Sequence, residues 1–361
     1  VPPPPSHRAL PRRRLLTLLA ATAGAPALVA CGGAADRPAT AAAPSGTGSP
    51  SAAPSAAPPD GTWVTPRDLP AGWGSGQADG VFPRTVTHAA GRTTIERAPA
   101  RVVVISTGQL DAVLTLGLVP VGATAGEGAE VVPAYLAEAF GGSAAALGAI
   151  TELGSRVEPN LEALAALAPD LVLVNAAGKD AGPLQQKLSA IAPTVVTRGT
   201  GLYWKQDFQL LADALGRREQ ARARLVEHQE RAAALGTALG GAPTVSLLRK
   251  NGDRVRVFGV ASFSGSVVED AGLPRPPGQG FTDDTSRDIS LEELALVDGD
   301  HLFYAAQGGD ETELTRLPLW PTLPVVAAGR AVEVDDDTFF LNTGPTAARR
   351  VLDRLEADLR T

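Results

Sequence analysis

Residues that carry covalent or metal chemistry are scarce in this sequence. One cysteine in 361 residues excludes an intrachain disulfide framework. The four histidines, His7, His88, His228 and His301, are scattered. Zinc and manganese sites need several imidazoles and carboxylates converging, so direct metal capture is not expected. No Gly-x-Ser-x-Gly elbow, His-Glu-x-x-His helix or Walker loop occurs, and no enzymatic activity is expected. The run Ser262-Phe263-Ser264-Gly265-Ser266 has no histidine placed to activate it and reads as a helix N-cap. Lysine is also rare, at four against 28 arginines, in a chain rich in Ala, Gly and Pro. That bias reads as genome composition. Aromatic residues make up only 4%, so each one near a strand end counts.

The single cysteine is the most informative residue. Leu28-Val29-Ala30-Cys31 has the form of a bacterial lipobox, preceded by Arg12-Arg13-Arg14 and the mostly apolar stretch 15–27. A charged region, an apolar region and a small-residue cleavage site make a secretory signal. The apolar stretch is shorter than the ~20 residues of a membrane span. Residues 1–30 are therefore expected to be a lipoprotein signal peptide. Cys31 is the expected lipidation site, holding the chain at the extracytoplasmic face of the cell membrane. The arginines suit twin-arginine export and Sec export alike. Loss of residues 1–30, with four Arg and no acids, would take the net charge from −7 to about −11. An acidic chain argues against nucleic acid as partner.

Residues 32–61 are almost entirely Ala, Pro, Ser, Gly and Thr. Such a tract cannot bury enough apolar area to offset chain entropy, and thirty flexible residues reach about 30 Å. We assign 31–81 to the lipidated cysteine and tether, with its last part, holding Trp63 and Trp73, packing irregularly on the body. Residues 82–95 read as a hairpin. Arg101-Val102-Val103-Val104-Ile105-Ser106 reads as a strand buried on both faces. Helix 108–116, strand 117–122, helix 161–168, strand 171–175, helix 184–191 and strand 194–197 follow. Alternation of this kind makes a parallel α/β lobe over 82–202. Helical spacing then dominates 203–241, interrupted at Gly216. A second α/β lobe, 242–361, has strands at 244–248, 254–258, 301–304 and 331–334, with helices at 264–271, 290–296 and 346–359. The expected fold is two α/β lobes with parallel-type sheets, joined by a single long helix.

Several segments together resemble one family. They are Phe82-Pro-Arg-Thr-Val-Thr-His88, Ala98-Pro-Ala-Arg-Val-Val-Val-Ile105, Leu116-Gly-Leu-Val-Pro-Val-Gly122, Asn160-Leu-Glu-Ala-Leu164 with Ala168-Pro-Asp-Leu-Val-Leu173, Ile289-Ser-Leu-Glu-Glu-Leu294 and Leu319-Trp-Pro-Thr-Leu-Pro324. In order and spacing the chain resembles the solute-binding lipoproteins of ABC importers for ferric siderophores, a group that includes haem and cobalamin binders. The resemblance implies two lobes bridged by one helix, a ligand cleft between them and only slight closure on loading. It also implies that an acid on each lobe docks onto basic pockets of a permease, which here points to Glu162 and Glu292, with Glu293 adjoining. First-turn acids favoured by the helix dipole are the alternative.

Ligands of open α/β sheets sit beyond the carboxyl ends of the strands. That rule nominates Ser106, Thr107 and Gln109, Asn175 and Lys179, Arg249, Tyr304 and Gln307, and Phe340 and Asn342. Phe339 and Phe340 cannot both face ligand from one extended segment. Tyr203 and Trp204 open the bridge, and Phe281 lies on the loop 278–287. A ferric siderophore needs aromatic walls and a few donors aimed at its ligating oxygens, and Arg249 is the leading donor. Trp320 is expected to pack in the second lobe, and Asp335-Asp336-Asp337 to be a solvated loop run. No cofactor is expected; the ligand is the ferric complex, of hydroxamate type on the strength of the acidic net charge. A monomer is expected, partnered by the permease and the membrane. Haem or cobalamin cargo stays open, with Tyr203, Tyr304 or His301 as haem ligands, as does an exported lipoprotein without a transport role.

Overall fold

The computed structural model describes residues 64–106, 108–126, 130–176, 181–199, 201–240, 242–308, 310 and 312–360. Cys31, the signal, the tether up to residue 63, Thr107 and Lys179 lie outside the described residues. Among the described residues no helix is long and apolar enough to cross a membrane.

A hairpin opens the body, β1 (Arg84–His88) against β2 (Gly91–Ile95). The first lobe is a sheet of β3 (Val102–Ile105), β4 (Gly122–Ala125), β5 (Thr151–Ser155), β6 (Leu171–Asn175) and β7 (Thr194–Thr197). All five run parallel in the order β5-β4-β3-β6-β7. The unbroken run Val102–Ile105 has a physical reason. Val102 and Val104 join Leu171, Leu173 and Val195 in one core, while Val103 and Ile105 join Val172, Val174 and Val196 in another. A strand buried on both faces needs apolar residues at every position. Helices α1 (Gln109–Thr115), α2 (Ala134–Ala139), α3 (Ala144–Leu147), α4 (Leu161–Ala166) and α5 (Ala181–Ser189) make the crossovers.

Two helices bridge the lobes, α6 (Trp204–Ala214) and α7 (Arg218–Ala238). Gly216, at φ 70°, takes the left-handed conformation that separates them. The 21 residues of α7 span about 30 Å at 1.5 Å each. Its start is tied to the first lobe, where Arg217 donates to the Leu116 carbonyl. Its later turns are tied to the second lobe, with Arg231 2.6 Å from Asp353.

The second lobe holds β8 (Val245–Asn251), β9 (Arg254–Phe258), β10 (Ser286–Ile289), β11 (His301–Ala306) and β12 (Ala331–Glu333) in the order β10-β9-β8-β11-β12. Helices α8 (Phe263–Asp270), α9 (Thr312–Thr315), α10 (Pro324–Ala327) and α11 (Pro345–Leu359) complete it. Unlike the first sheet this one is mixed, because β9 runs antiparallel to both neighbours. Gly252 at φ 56° followed by Asp253 closes a two-residue hairpin between β8 and β9, which turns the chain straight back.

Three local expectations are corrected. The segment 117–122 is not a strand: Gly117 at φ 76° ends α1, Pro120 has no N–H to donate, and pairing starts at Gly122. The strands β5 and β10 were not anticipated, since the sequences TELGS and SRDI lack the alternation of a half-buried strand; both are sheet edges. The helix expected at 290–296 is a 3₁₀ helix, Leu291–Val297.

Residues 64–81, grouped with the tether by sequence, lie against the bridge. The Glu269 carboxylate accepts from the amides of Val64 at 2.8 Å and Thr65 at 3.2 Å, and Ser75 donates to Asp213. The lobes also touch directly. Buried Asp111 of α1 accepts from the Thr346 and Ala347 amides at 3.0 and 2.9 Å, capping α11 of the other lobe. Burial pushes the Asp111 carboxyl above its usual range, opposed by those amides.

Candidate functional site

The carboxyl ends of β3, β4, β6 and β7 face the second lobe through a narrow seam. Gly108, at φ 82°, leaves no room for a side chain, because a Cβ there would stand 2.4 Å from the Thr343 hydroxyl. A Cβ on Gly201 would stand 2.3 Å from the Phe263 amide. Ser264 donates to the Phe339 carbonyl. The segment Asp335–Thr343, which follows β12, therefore supplies the second wall.

Two small polar cavities lie in this seam. One, of about 20 Å³, is lined by Gln109, Asn175, Thr197, Gly199 and Thr343 among others. The other, of about 10 Å³, involves Ser106, Gly108, Thr124, Glu130 and Asn342. Ser106 Oγ, Gln109 Oε1 and Thr124 Oγ1 are buried without a hydrogen-bond partner. Unpaired buried polar atoms are costly, so such a seam calls for water or a polar ligand. Asn175 and Asn342 thus reach the seam, as the strand-end rule expected. Asn342 is also held from its side-chain nitrogen, which donates to Asp337 O at 3.1 Å.

Beside the seam stands a group of cations and rings. Arg198, at the end of β7, lies between two aromatic faces, 4.5 Å from the Tyr203 ring and 4.9 Å from that of Trp73. It makes no direct ion pair among the described residues, though its charge acts on the buried Asp207 carboxyl. Cation–π contact fixes a guanidinium without neutralising it. Behind it, buried Asp207 accepts from the Arg198 and Gly199 amides at 3.0 and 2.8 Å. Burial raises the Asp207 carboxyl to about 6, against those hydrogen bonds. Sequence reasoning named Tyr203 but missed Arg198. The strand-end rule contained the signal, since Arg198 directly follows β7.

In the second lobe Arg249 makes a two-toothed pair with Asp336, 2.6 and 2.7 Å. The aspartate run is therefore not simply solvated: Asp336 holds Arg249, and Asp335 caps Thr338 at 2.9 Å. Arg256 is registered opposite Arg249 on β9. Its guanidinium lies 5.5 Å from the Phe258 ring, and Phe258 lies 4.9 Å from Phe340. Burial lowers the Arg256 guanidinium from its usual value. Phe340 is half-buried, whereas Phe339 is buried and stacks on Phe303 at 5.9 Å. Phe281 packs beside Gly259 and under Arg287, whose guanidinium is 4.2 Å from its ring.

Two expected site residues are packed into the core, although Trp204 still borders one of the seam cavities. Trp204 is 2% exposed and donates to Ser266 Oγ at 2.9 Å, edge-on to His228 and Phe263. Its position at the first turn of α6 points it at α8. Tyr304 is buried on the other face of its sheet against Trp320 at 4.8 Å. Alternation along β11 sends Tyr304 away from the face that carries Phe303. Trp320 itself is core, as expected.

Glu162 and Glu292 occupy matching places. Each sits in the first turn of a short helix after an edge strand, β5 or β10. Asn160 caps one helix, accepting from Ala163 at 3.0 Å. Ser290 and Glu293 form a capping box on the other. Both acids are exposed and have no ion-pair partner among the described residues.

A larger cavity of about 210 Å³ opens between α7 and α11, lined partly by Phe140, Leu225 and Leu352. It lies away from the strand ends, and its Arg224 and Arg231 are already paired with acids. No group of His, Cys, Asp and Glu suited to a metal ion occurs among the described residues.

Two α/β lobes, a helical bridge and a seam of strand-end loops define the class of the fold. The chain belongs to the periplasmic binding protein family, whose model matches residues 102–338. It is 31% identical over 293 residues to the Bacillus subtilis (strain 168) protein named "Probable siderophore-binding lipoprotein YfiY", covering 76% of this chain and 86% of that one. It is 26% identical to the "Fe(3+)-citrate-binding protein YfmC" of the same strain, covering 78% and 89%. The Staphylococcus aureus SirA structure complexed with staphyloferrin B has the same fold, with TM-score 0.66 and 24% identity over 76% of this chain and 98% of that one.

Proposed function

We propose that this chain is the lipid-anchored binding component of an ABC importer, and that it captures a ferric siderophore between its lobes. The observation that carries the reading is Arg198, clasped between Trp73 and Tyr203 at a strand end without a direct ion pair among the described residues. A fixed cation, only indirectly countered by buried Asp207 and set beside aromatic walls, suits an anionic metal complex with an organic shell. Relatives named for siderophore and Fe(3+)-citrate binding support the same cargo.

The hydroxamate expectation rested on net charge. Local charge is the better guide. Arg198 and Arg256 near the seam favour a carboxylate-rich ferric complex first, and a hydroxamate second. Asn175, Tyr203, Arg249, Phe281, Phe340 and Asn342 remain proposed contacts, as does Thr107, which lies in sequence between Ser106 and Gly108. Cys31 is the proposed lipid anchor, residues 31–63 the tether, and Glu162 and Glu292 the acids that meet the permease. The chain works as a monomer and carries out no chemistry on its cargo.

Intrinsic tryptophan fluorescence of the full chain, titrated with ferric citrate, a ferric hydroxamate, a ferric catecholate, haem and cobalamin, tests the reading. Saturable quenching by a ferric complex is the expected result. A response to haem or cobalamin alone would move the cargo, and none to any of them would end the assignment.

A further inference from the structure

Packed interiors hold few voids larger than a water molecule, so the cavity of about 210 Å³ between α7 and α11 calls for an occupant. Three ties hold its walls in place. The hydroxyls of Thr115 on α1 and Thr346 on α11 lie 3.2 Å apart. Arg350 of α11 meets Glu138 of α2 at 2.7 Å. Arg231 of α7 meets Asp353 and Glu356 of α11 at 2.6 and 3.0 Å. The first lobe, the bridge and the second lobe therefore all contribute a wall.

The lining divides by depth. Leu225, Leu352 and Trp204 are buried and Phe140 is half-buried, which makes the interior apolar. Arg224, Glu227 and Arg349 are exposed and mark the mouth. Arg224 and Glu227 neutralise each other at 3.0 Å, and His228 is held by Asp270 at 2.9 Å. Arg349 makes no ion pair or hydrogen bond among the described residues. One free guanidinium thus stands over an apolar chamber. An apolar cavity of ~150 Å³ accepts a benzene ring, so this one has room for a ring and a small substituent.

We infer that the cavity is a second small-molecule site, separate from the seam, for a compact monocarboxylate whose apolar body is about one ring in size. The body covers Phe140, Leu225 and Leu352, which favours binding in proportion to the apolar area removed from water. The carboxylate stays at the mouth, where the planar fork of Arg349 donates to both its oxygens. There it keeps part of its hydration, which avoids the cost of a fully buried charge. A second carboxylate on the same ligand would face the apolar interior unpaired. Trp204 is the wall shared with the seam cavity, so the two sites adjoin without overlapping.

The test is calorimetric titration of the full chain with benzoate. Saturable one-to-one binding is expected, and saturating ferric citrate should not displace it. Arg349→Glu, an exposed change that should leave urea unfolding unaltered, should weaken benzoate at least about tenfold. Benzyl alcohol, which keeps the ring and lacks the carboxylate, should bind the wild type about tenfold more weakly than benzoate. Ala139→Phe, which fills the cavity from the α2 wall, should abolish binding. No saturable binding at millimolar benzoate overturns the inference, as does equal affinity in the wild type and Arg349→Glu. Benzyl alcohol binding as tightly as benzoate overturns the ligand class. Displacement by ferric citrate overturns the separate site, since benzoate would then sit in the seam. A chain that binds benzoate as described but no ferric complex upholds this inference and ends the cargo reading, on which it does not rest.

Discussion

Charge is handled in opposite ways at the back of the bridge and at the cleft seam. Behind the bridge, buried Asp270 meets Lys205 at 2.6 Å, Arg67 at 2.7 Å and His228 at 2.9 Å. Burial opposes ionisation of Asp270, but His228 and Lys205 outweigh it and hold the carboxyl below its usual range. Every charge there has a partner, and the network ties residues 64–69 to α6, α7 and α8. At the seam, Arg198 is held by rings and makes no direct ion pair among the described residues, with only the buried Asp207 carboxyl acting on it from behind, and three buried polar atoms lack hydrogen-bond partners among the described residues. Compensated charge holds the lobes in one relation. The less compensated charge lies where the proposed anionic guest would enter.

The strongest way to break the contrast is Asp270→Leu. It strands Lys205, Arg67 and His228 without a counter-charge, and breaking a buried pair costs about 3–5 kcal/mol. Urea unfolding of the full chain should show that loss. A loss below about 1 kcal/mol would mean that the network is not a structural tie.

Asp207 joins the two regimes, since it is buried yet supports the Arg198 loop. Its folded carboxyl titrates near 6, above the usual ~3.9. The folded state therefore holds this proton more tightly than the unfolded chain does. Stability from this group is highest below pH 4 and falls as pH rises to 6, by about 3 kcal/mol at 1.36 kcal/mol per unit. Asp207→Asn should remove that slope from the pH dependence of the unfolding midpoint. An unchanged slope would assign it to other groups.

Trp204→Phe sharpens the comparison by removing the indole donor together with one ring of a buried side chain. The lost hydrogen bond to Ser266 Oγ and the cavity left behind should together cost about 2–3 kcal/mol of stability, with ligand affinity unchanged. Weakened binding at intact stability would restore Trp204 to the site. Arg198→Ala should do the reverse. The half-buried Arg198 loses only its ring contacts, worth about 0.5–1 kcal/mol of stability, while affinity for a ferric complex falls about tenfold.

Much of the architecture was legible because burial dictates composition. Val102–Ile105 and Leu171–Asn175 are apolar at nearly every position, as two-faced strands require, and Gly216 marks the break in the bridge. Two edge strands were not legible: β5 and β10 pair on one side only and carry no apolar pattern, whereas the edges β7 and β12 keep enough β-branched residues to be read. The antiparallel β9 depended on a Gly252-Asp253 turn that sequence reading passed over. At the seam, strand ends point to loops but not to which side chains of those loops face it. Tyr304 and Trp204 differ from Tyr203 and Phe340 by the face they point to, which packing decides. Arg249 was found, yet its partner Asp336, 87 residues away, could be paired with it only in three dimensions.

The most direct measurement is calorimetric titration of the full chain and of Arg198→Ala with ferric citrate, alongside urea unfolding of both. The account predicts saturable binding by the wild type, about tenfold weaker in the variant, with closely similar unfolding midpoints. Equal affinities would contradict it, showing that the arginine at the seam is not what receives the cargo.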